Sequence, residues 1–280
     1  MASKVWFITG TSKGFGRIWA EAALGRGDQV AATARSVNTL APLVERYGER
    51  VAAIPLDVTD KAAVHAAVSE AHERFRRLDV VINNAGYGLF GAIEEVSESE
   101  AREQIETNLL GALWVTQAVL PIMRAQGSGH IIQVSSIGGV NAFPTIGLYH
   151  ASKWGLEGFS QSLAAEVASF GIKVTLVEPS GFATDWSGPS AKRATHLPAY
   201  DSARALVESF RSSYVPGDPD ATGPAILKVV DAVEPPLRIF FGSVGLPMMR
   251  AEYAQRIETW EKWNHVSVEA QGNFVPRKAR

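Results

Sequence analysis

Short runs of aliphatic and β-branched residues recur along the chain at 5–9, 29–34, 51–55, 79–83, 130–135, 173–178 and 237–241. Most are apolar at nearly every position rather than at alternate ones, the pattern of strands buried on both faces. Between them lie stretches of helical period, among them 60–75, 101–124 and 149–170. Strand and helix alternate from one end to the other. This predicts an α/β fold, a doubly wound sheet of seven mainly parallel strands with helices on both faces and right-handed connections.

The alternation breaks once. Between Thr184 and Pro219 the chain turns rich in Ser and Pro, with one helical stretch at 201–213. So long a detour predicts a lid over a binding site, 185–219, after strand six. Beyond Phe241 a last helical pattern puts Tyr253, Ile257, Trp260 and Asn264 on one stripe, which reads as packing surface. That C-terminal extension, 242–280, is expected to fray at 276–280. No repeat or linker divides the chain, so 1–280 reads as one domain.

Charge and composition narrow the partners. A formal net charge of -2 offers no basic excess for a run of phosphates, so nucleic acid is not expected. There is no cysteine, hence no disulfide, thiolate metal site or cysteine nucleophile. The histidines at 65, 72, 130, 150, 196 and 265 lack ligand spacing, so no metal site is expected. His65 and His72 read as a solvated face, and His150 is given no role. No apolar run reaches bilayer-spanning length, and the first ten residues lack the pattern of a signal peptide. No membrane is expected, and cytoplasmic localisation is the default.

Strand one runs into Thr9-Gly10-Thr11-Ser12-Lys13-Gly14-Phe15-Gly16 and then an apolar helix. Glycines let the backbone approach a pyrophosphate, and the helix start offers free N–H groups and a positive dipole end. A glycine-rich turn can exist without a ligand; its place between strand one and helix one favours a phosphate cradle. About twenty residues past such a turn, NAD-selective folds place an acid on the ribose 2′-hydroxyl. Here the chain reads Ala34-Arg35-Ser36. Arg35 has the charged fork that suits a phosphate, and Lys13 adds a cation nearby, so the expected cofactor is NADP(H).

Tyr149 and Lys153 lie one helical turn apart at the start of a long helix. An ammonium and an oxidised nicotinamide beside a phenol favour the phenolate, which would make Tyr149 a usable acid/base. A lone pair of this kind also fits a surface contact.

Further motifs give the pair its context. Asp57-Val58 follows strand three, Asn83-Asn84-Ala85-Gly86 follows strand four, and Asn108 lies within a helix. Ser135-Ser136 closes strand five thirteen residues before Tyr149, and Pro179 to Thr184 follows strand six. From Val5 to about Thr184, and more loosely beyond, the chain resembles the short-chain dehydrogenase/reductase family, the compact Tyr-x3-Lys type with a Thr-Gly-x3-Gly-x-Gly loop. That resemblance implies a Rossmann-type domain and a catalytic set of Asn108, Ser136, Tyr149 and Lys153. In that set Tyr149 is the acid/base, Ser136 orients the carbonyl oxygen, Lys153 binds the nicotinamide ribose and tunes Tyr149, and Asn108 holds a water. The cofactor set is Gly10, Ser12, Lys13, Gly14, Phe15, Gly16, Arg35, Asp57, Val58, Asn84, Ala85, Gly86, Tyr149, Lys153, Pro179, Gly181, Phe182 and Thr184. The chain departs from the family's Pro-Gly by inserting Ser180, which is expected to need an unusual backbone or to shift the carboxamide contact.

The expected activity is NADP(H)-dependent interconversion of a small-molecule carbonyl and its alcohol. The alternatives are a sugar-nucleotide epimerase or dehydratase, and a non-catalytic NADP(H) sensor. Three segments, 87–90, 137–144 and 182–186, are expected to line the pocket with aromatic and aliphatic side chains, one acid (Asp185) and no cation. Such walls predict a bulky neutral ketone or aldehyde. Lys192 and Arg193, farther along the lid, read as solvated. The family's helix pairing implies a homodimer or homotetramer through Leu109, Leu113, Val115, Leu156, Phe159 and Leu163.

Overall fold

The structure, a computed structural model, describes residues 3–272. The expected fraying at 276–280 lies outside them.

Seven strands form one sheet in the order β3-β2-β1-β4-β6-β7-β9. They are β1 (Val5–Ile8), β2 (Gln29–Ala34), β3 (Val51–Pro55), β4 (Val80–Asn83), β6 (Gly129–Val134), β7 (Ile172–Pro179) and β9 (Arg238–Phe241). All neighbours pair in parallel, so the sheet is wholly rather than mainly parallel.

Alternate side chains serve opposite faces, as the period of a strand requires. Phe7, Ala31 and Ile131 join α3 (Lys61–Phe75), α5 (Gly111–Gln126) and α6 (Gly147–Val167) on one face. Trp6, Ile8, Ala32 and Ile132 join α1 (Gly14–Gly25), α2 (Ala41–Tyr47) and α8 (Thr222–Asp231) on the other. This explains the continuously apolar strands: both faces are covered. Helix ends follow local chemistry. The Asp60 carboxylate caps α3 by accepting from the N–H groups of Ala62 and Ala63. Ser97 and Glu100 form a capping box on α4 (Glu98–Ile105).

The stretch expected as one helix, 101–124, is α4 and α5 joined through a π-turn at Glu106–Leu110, with Asn108 inside it. Such bulges are frequent at functional sites. The short helix α8, which buries Ile226, Val229 and Val230, was not among the expected helical stretches.

Two elements depart from expectation more strongly. β5 (Leu89–Phe90) pairs in parallel with β8 (Lys192–Arg193), so the 185–219 segment is stitched to the loop after β4. The segment then forms α7 (Asp201–Ser212). The last helix, α9 (Gly245–Gln271), does not pack its stripe on the chain's own core: Tyr253, Ile257, Trp260 and Asn264 are all exposed, and so is Trp263. The expected dimer residues are corrected in the opposite sense. Val115, Leu156 and Leu163 are buried against the chain's own sheet, which leaves fewer apolar side chains for a partner than the helical pattern suggested.

Candidate active site

The carboxyl ends of the strands open into a cleft of about 1560 Å³, where ligands of open parallel sheets are expected. Its floor is the glycine loop. Gly10 and Gly14 hold positive φ, 70° and 59°. A Cβ on Gly16 would stand 2.4 Å from the Gly10 carbonyl oxygen and 2.5 Å from Asn84 Nδ2, so α1 can start this close to the loop only with glycine there. Asn84 in turn donates Nδ2 to the carbonyls of Thr9 and Gly10, at 2.9 and 3.0 Å. It therefore supports the loop's shape. No side chain caps the start of α1, which leaves its first N–H groups for an anion.

Ser12, Phe15, Arg35, Asp57, Val58, Ala85 and Gly86 line the same cleft. Arg35 is exposed, makes no ion pair with a described residue, and has no acid at positions 34–36 beside it. Lys13 is engaged: it pairs with Asp185 across the cleft, which holds the Asp185 carboxyl below its usual range. Of the two cations expected for a 2′-phosphate, Arg35 is thus the one without a protein partner. The bare loop, the uncapped helix start and Arg35 together fit an NADP(H) phosphate backbone.

Ser136, Tyr149 and Lys153 meet at the inner end. Tyr149 and Lys153 are both buried on α6. Burial pushes the Tyr149 phenol up to about 12, while the Ser136 hydroxyl draws it down. Sequence reasoning expected the ammonium to lower the phenol; within the protein alone, desolvation outweighs it. Lys153 falls to about 8, again through burial, with Glu157 opposing the fall. Its Nζ donates to the Val134 carbonyl at 2.7 Å. Asn108 is committed differently from expectation. Its amide donates to the Tyr87 carbonyl at 2.9 Å and accepts from the Tyr87 N–H at 3.0 Å. The side chain therefore holds the loop after β4.

Ser180 adopts no positive φ; that role falls to Gly242 opposite, at 97°. Ser180 instead donates its N–H to the Phe241 carbonyl at 2.9 Å, tying the loop after β7 to the end of β9. Gly181 lies against Tyr214, whose hydroxyl would be 2.1 Å from a Cβ there. Pro179, Phe182 and Thr184 complete this side of the cleft.

The family model for short chain dehydrogenases matches residues 4–195. The chain belongs to the short chain dehydrogenase family. Oxidoreductase BOA17 of Botryotinia fuckeliana is 45% identical over 270 residues, covering 95% of this chain and 98% of the relative. A short-chain dehydrogenase from Streptomyces avermitilis superimposes with a TM-score of 0.90 at 38% identity, over 96% of this chain and 98% of that one. An alcohol dehydrogenase from Thermococcus sibiricus, solved with 5-hydroxy-NADP, does so at 0.72 and 28% identity, over 87% and 98%. This short chain dehydrogenase is accordingly an oxidoreductase built on one Rossmann-like domain.

The upper walls of this dehydrogenase are aromatic. Trp186 meets Tyr149 edge-on at 4.9 Å and Phe90 at 5.5 Å. Phe143 stacks on Phe210 of α7 at 5.8 Å, and Phe210 meets Tyr214 at 5.8 Å. The expected lack of cations does not hold at the rim. Lys192, Arg193 and Arg211 all border the cleft. Lys192 is paired with Glu103, and Arg193 donates to the Ser187 carbonyl at 2.9 Å while lying over Phe90. Folding back through β8 brings them there, and no local pattern marks that pairing.

Two further residues escaped sequence reasoning. His150 is buried; its Nδ1 bonds the Gly138 carbonyl and its Nε2 accepts from the Phe143 N–H, each at 2.8 Å. It staples the loop that carries Ser136. Glu95, with its side chain fully buried, accepts from the N–H of Leu197 and of Ala92 at 2.6 Å and pairs with Arg204. It anchors the 185–219 segment. Neither had a sequence signal beyond a polar residue among apolar ones. Among the described residues no helix is long and apolar enough to cross a membrane, and no cluster of His and acids could hold a metal.

Proposed function

We propose that this dehydrogenase uses NADP(H) to reduce bulky, uncharged ketones or aldehydes to alcohols, with Tyr149 as the acid. The observation that carries the reading is the buried phenol of Tyr149 at the inner end of the cleft with Ser136 and Lys153, where burial favours its protonated form. When bound, NADPH supplies a hydride equivalent to the carbonyl carbon. Tyr149 gives its phenolic proton to the carbonyl oxygen, and Ser136 orients that oxygen. Lys153 holds the ribose and carries the positive charge that stabilises the phenolate left behind. Arg35 receives the 2′-phosphate, and the uncapped start of α1 receives the pyrophosphate. The NADP ligand of the Thermococcus sibiricus neighbour supports the cofactor.

The aromatic walls support a neutral substrate, since the rim cations nearest the phenol are already paired or stacked. The 185–219 segment is the lid, and its closure excludes water from the reacting carbonyl. The assembly remains a homodimer or homotetramer, which light scattering would report as at least twice the 30.1 kDa chain mass. The deciding experiment follows NADPH oxidation by absorbance with a panel of carbonyl compounds. Bulky neutral ketones should give higher kcat/KM than keto acids. A preference for anionic substrates would overturn the substrate reading, and tight NADPH binding without turnover would favour a sensor.

A further inference from the structure

Beneath the Tyr149–Lys153 pair lies a second ionisable cluster that the proposed reaction does not use. Glu157 sits one turn after Lys153 on α6, and Glu178 lies near the end of β7, next to the Pro179 turn; both are buried. One guanidinium serves both carboxyls. Arg238 on β9 donates Nε to Glu157 Oε2 at 2.8 Å and stands 3.7 Å from Glu178 Oε1. Its remaining reach goes to Gln161 Oε1, at 2.9 Å.

The count of donors does not close. Glu157 Oε1 and Glu178 Oε1 are buried without a hydrogen-bond partner. A carboxylate oxygen accepts only; the Ser135 hydroxyl, itself without a partner, can serve Glu157 but leaves Glu178 Oε1 with no donor, which is costly in a dry site. A proton on one carboxyl supplies the donor that Glu178 Oε1 lacks. Two acids crowded on a single cation are also the arrangement in which one proton is retained. The directions agree: burial raises Glu157, and burial together with Glu157 raises Glu178 to about 8.

The cluster reaches Lys153 and the turn after Ser136. Glu157 is the carboxyl that opposes the loss of charge on Lys153. Glu157 Oε1 and Ser135 Oγ both abut Gly139, in the turn that follows Ser136. Glu178 leads directly into the Pro179–Thr184 turn, which lines the cleft. We propose that Glu157 and Glu178 form a positioning pair which retains one shared proton, and that the negative charge they keep, clamped by Arg238, holds the buried Lys153 in its ammonium form. This deepens the reading given above, since it rests on Lys153 acting as a cation. The charged and titratable groups beside Lys153 are Tyr149 and Glu157 on α6, while Arg238 on β9 and Glu178 on β7 act on it through Glu157. β6 contributes only the Val134 carbonyl and the Ser135 hydroxyl, and the π-turn only the neutral Asn108.

The test has two arms. Infrared spectroscopy of the cofactor-free protein at neutral pH should show a buried carboxylic-acid C=O band that disappears in Glu178→Gln or Glu157→Gln and titrates away above pH 8. This arm needs neither turnover nor NADPH, so its outcome is independent of the proposed activity. The second arm measures NADPH affinity against pH by fluorescence. Affinity should fall on the alkaline side as Lys153 loses its proton. Glu157→Gln should move that limb down by about one pH unit, because an opposite charge beside the ammonium is removed. Glu178→Gln should move it less. A merely structural pair would lower thermal stability and leave the limb in place. A missing acid band, or a limb that stays put in both variants, would overturn the proposal.

Discussion

The floor and the roof of the cleft are built by different means. The floor consists of turns directly after β1, β4, β6 and β7, each set by a few neighbouring residues. Gly16 fits against Gly10, Asn84 bonds the loop, and Ser136 closes β6. The roof is held by partners distant in sequence: Lys13 with Asp185, Glu103 with Lys192, Glu95 with Leu197 and Arg204, Phe143 with Phe210. Continuous strand-to-helix turns cannot shift without breaking the sheet. Exposed ion pairs and aromatic contacts are individually weak and separable. Chemistry and cofactor should therefore depend on the floor, and substrate choice and access on the roof.

The sharpest way to break this division is Tyr149→Phe. It should lower kcat by about 10² to 10⁴, the usual contribution of a positioned acid. NADPH affinity should stay within a few-fold, as equilibrium binding would show. Near-normal turnover would mean that another group supplies the proton.

Cofactor choice comes next. Ala34→Asp combined with Arg35→Ser should shift preference from NADPH toward NADH by about tenfold or more, through a carboxylate on the ribose hydroxyls that repels a 2′-phosphate. An unchanged kcat/KM ratio would assign the choice to Lys13, and so to a floor residue that the roof controls through Asp185.

Glu95→Gln tests the roof's anchor. The N–H of Leu197, with Ala92 and Arg204, draws the Glu95 carboxyl down to about 2 from an ordinary 4.5. Its folded value lies below its unfolded one, so the anchor is fully effective above about pH 4.5 and weakens as pH falls toward 2. Protection of the amides around 195–205 against exchange should therefore fall through that window in the native protein. In the Gln variant protection, corrected for the intrinsic pH dependence of amide exchange, should be low already and nearly independent of pH there. KM for bulky substrates should rise more than kcat falls.

The smallest effect is expected from Trp186→Ala. Removing the ring that leans on Tyr149 and Phe90 should change relative kcat/KM among ketones by about threefold to tenfold, at or below the low end of the 1–3 kcal/mol of pocket contacts. NADPH affinity should hardly move. A loss of NADPH affinity equal to the change in selectivity would erase the distinction between floor and roof.

What was legible follows the same line. Strands with two buried faces announce themselves as apolar runs, and turns that serve a phosphate need glycine at fixed positions, so β1, the Gly10–Gly16 loop and the Tyr149–Lys153 spacing could be read locally. The β5–β8 pairing could not. Two residues on each strand carry no period, and their partners lie about a hundred residues apart. The same holds for Glu95, His150 and the Glu157–Glu178 pair, whose importance comes from burial that no neighbour in sequence reports. Helical stripes misled in both directions, since Leu156 and Leu163 proved to face the chain's own sheet while Trp260 and Trp263 proved exposed.

The sequence by itself determined the sheet, the order of the catalytic motifs and the absence of an acid beside Arg35, because each depends on interactions within a few residues or on a repeating period. The tertiary structure alone decided that Lys13 is bound to Asp185, that the rim carries cations, that Asn108 holds Tyr87 through its side chain, and that burial rather than Lys153 governs the Tyr149 phenol. Those are matters of which distant groups meet and how much water is left between them, and desolvation has no signature in the order of residues.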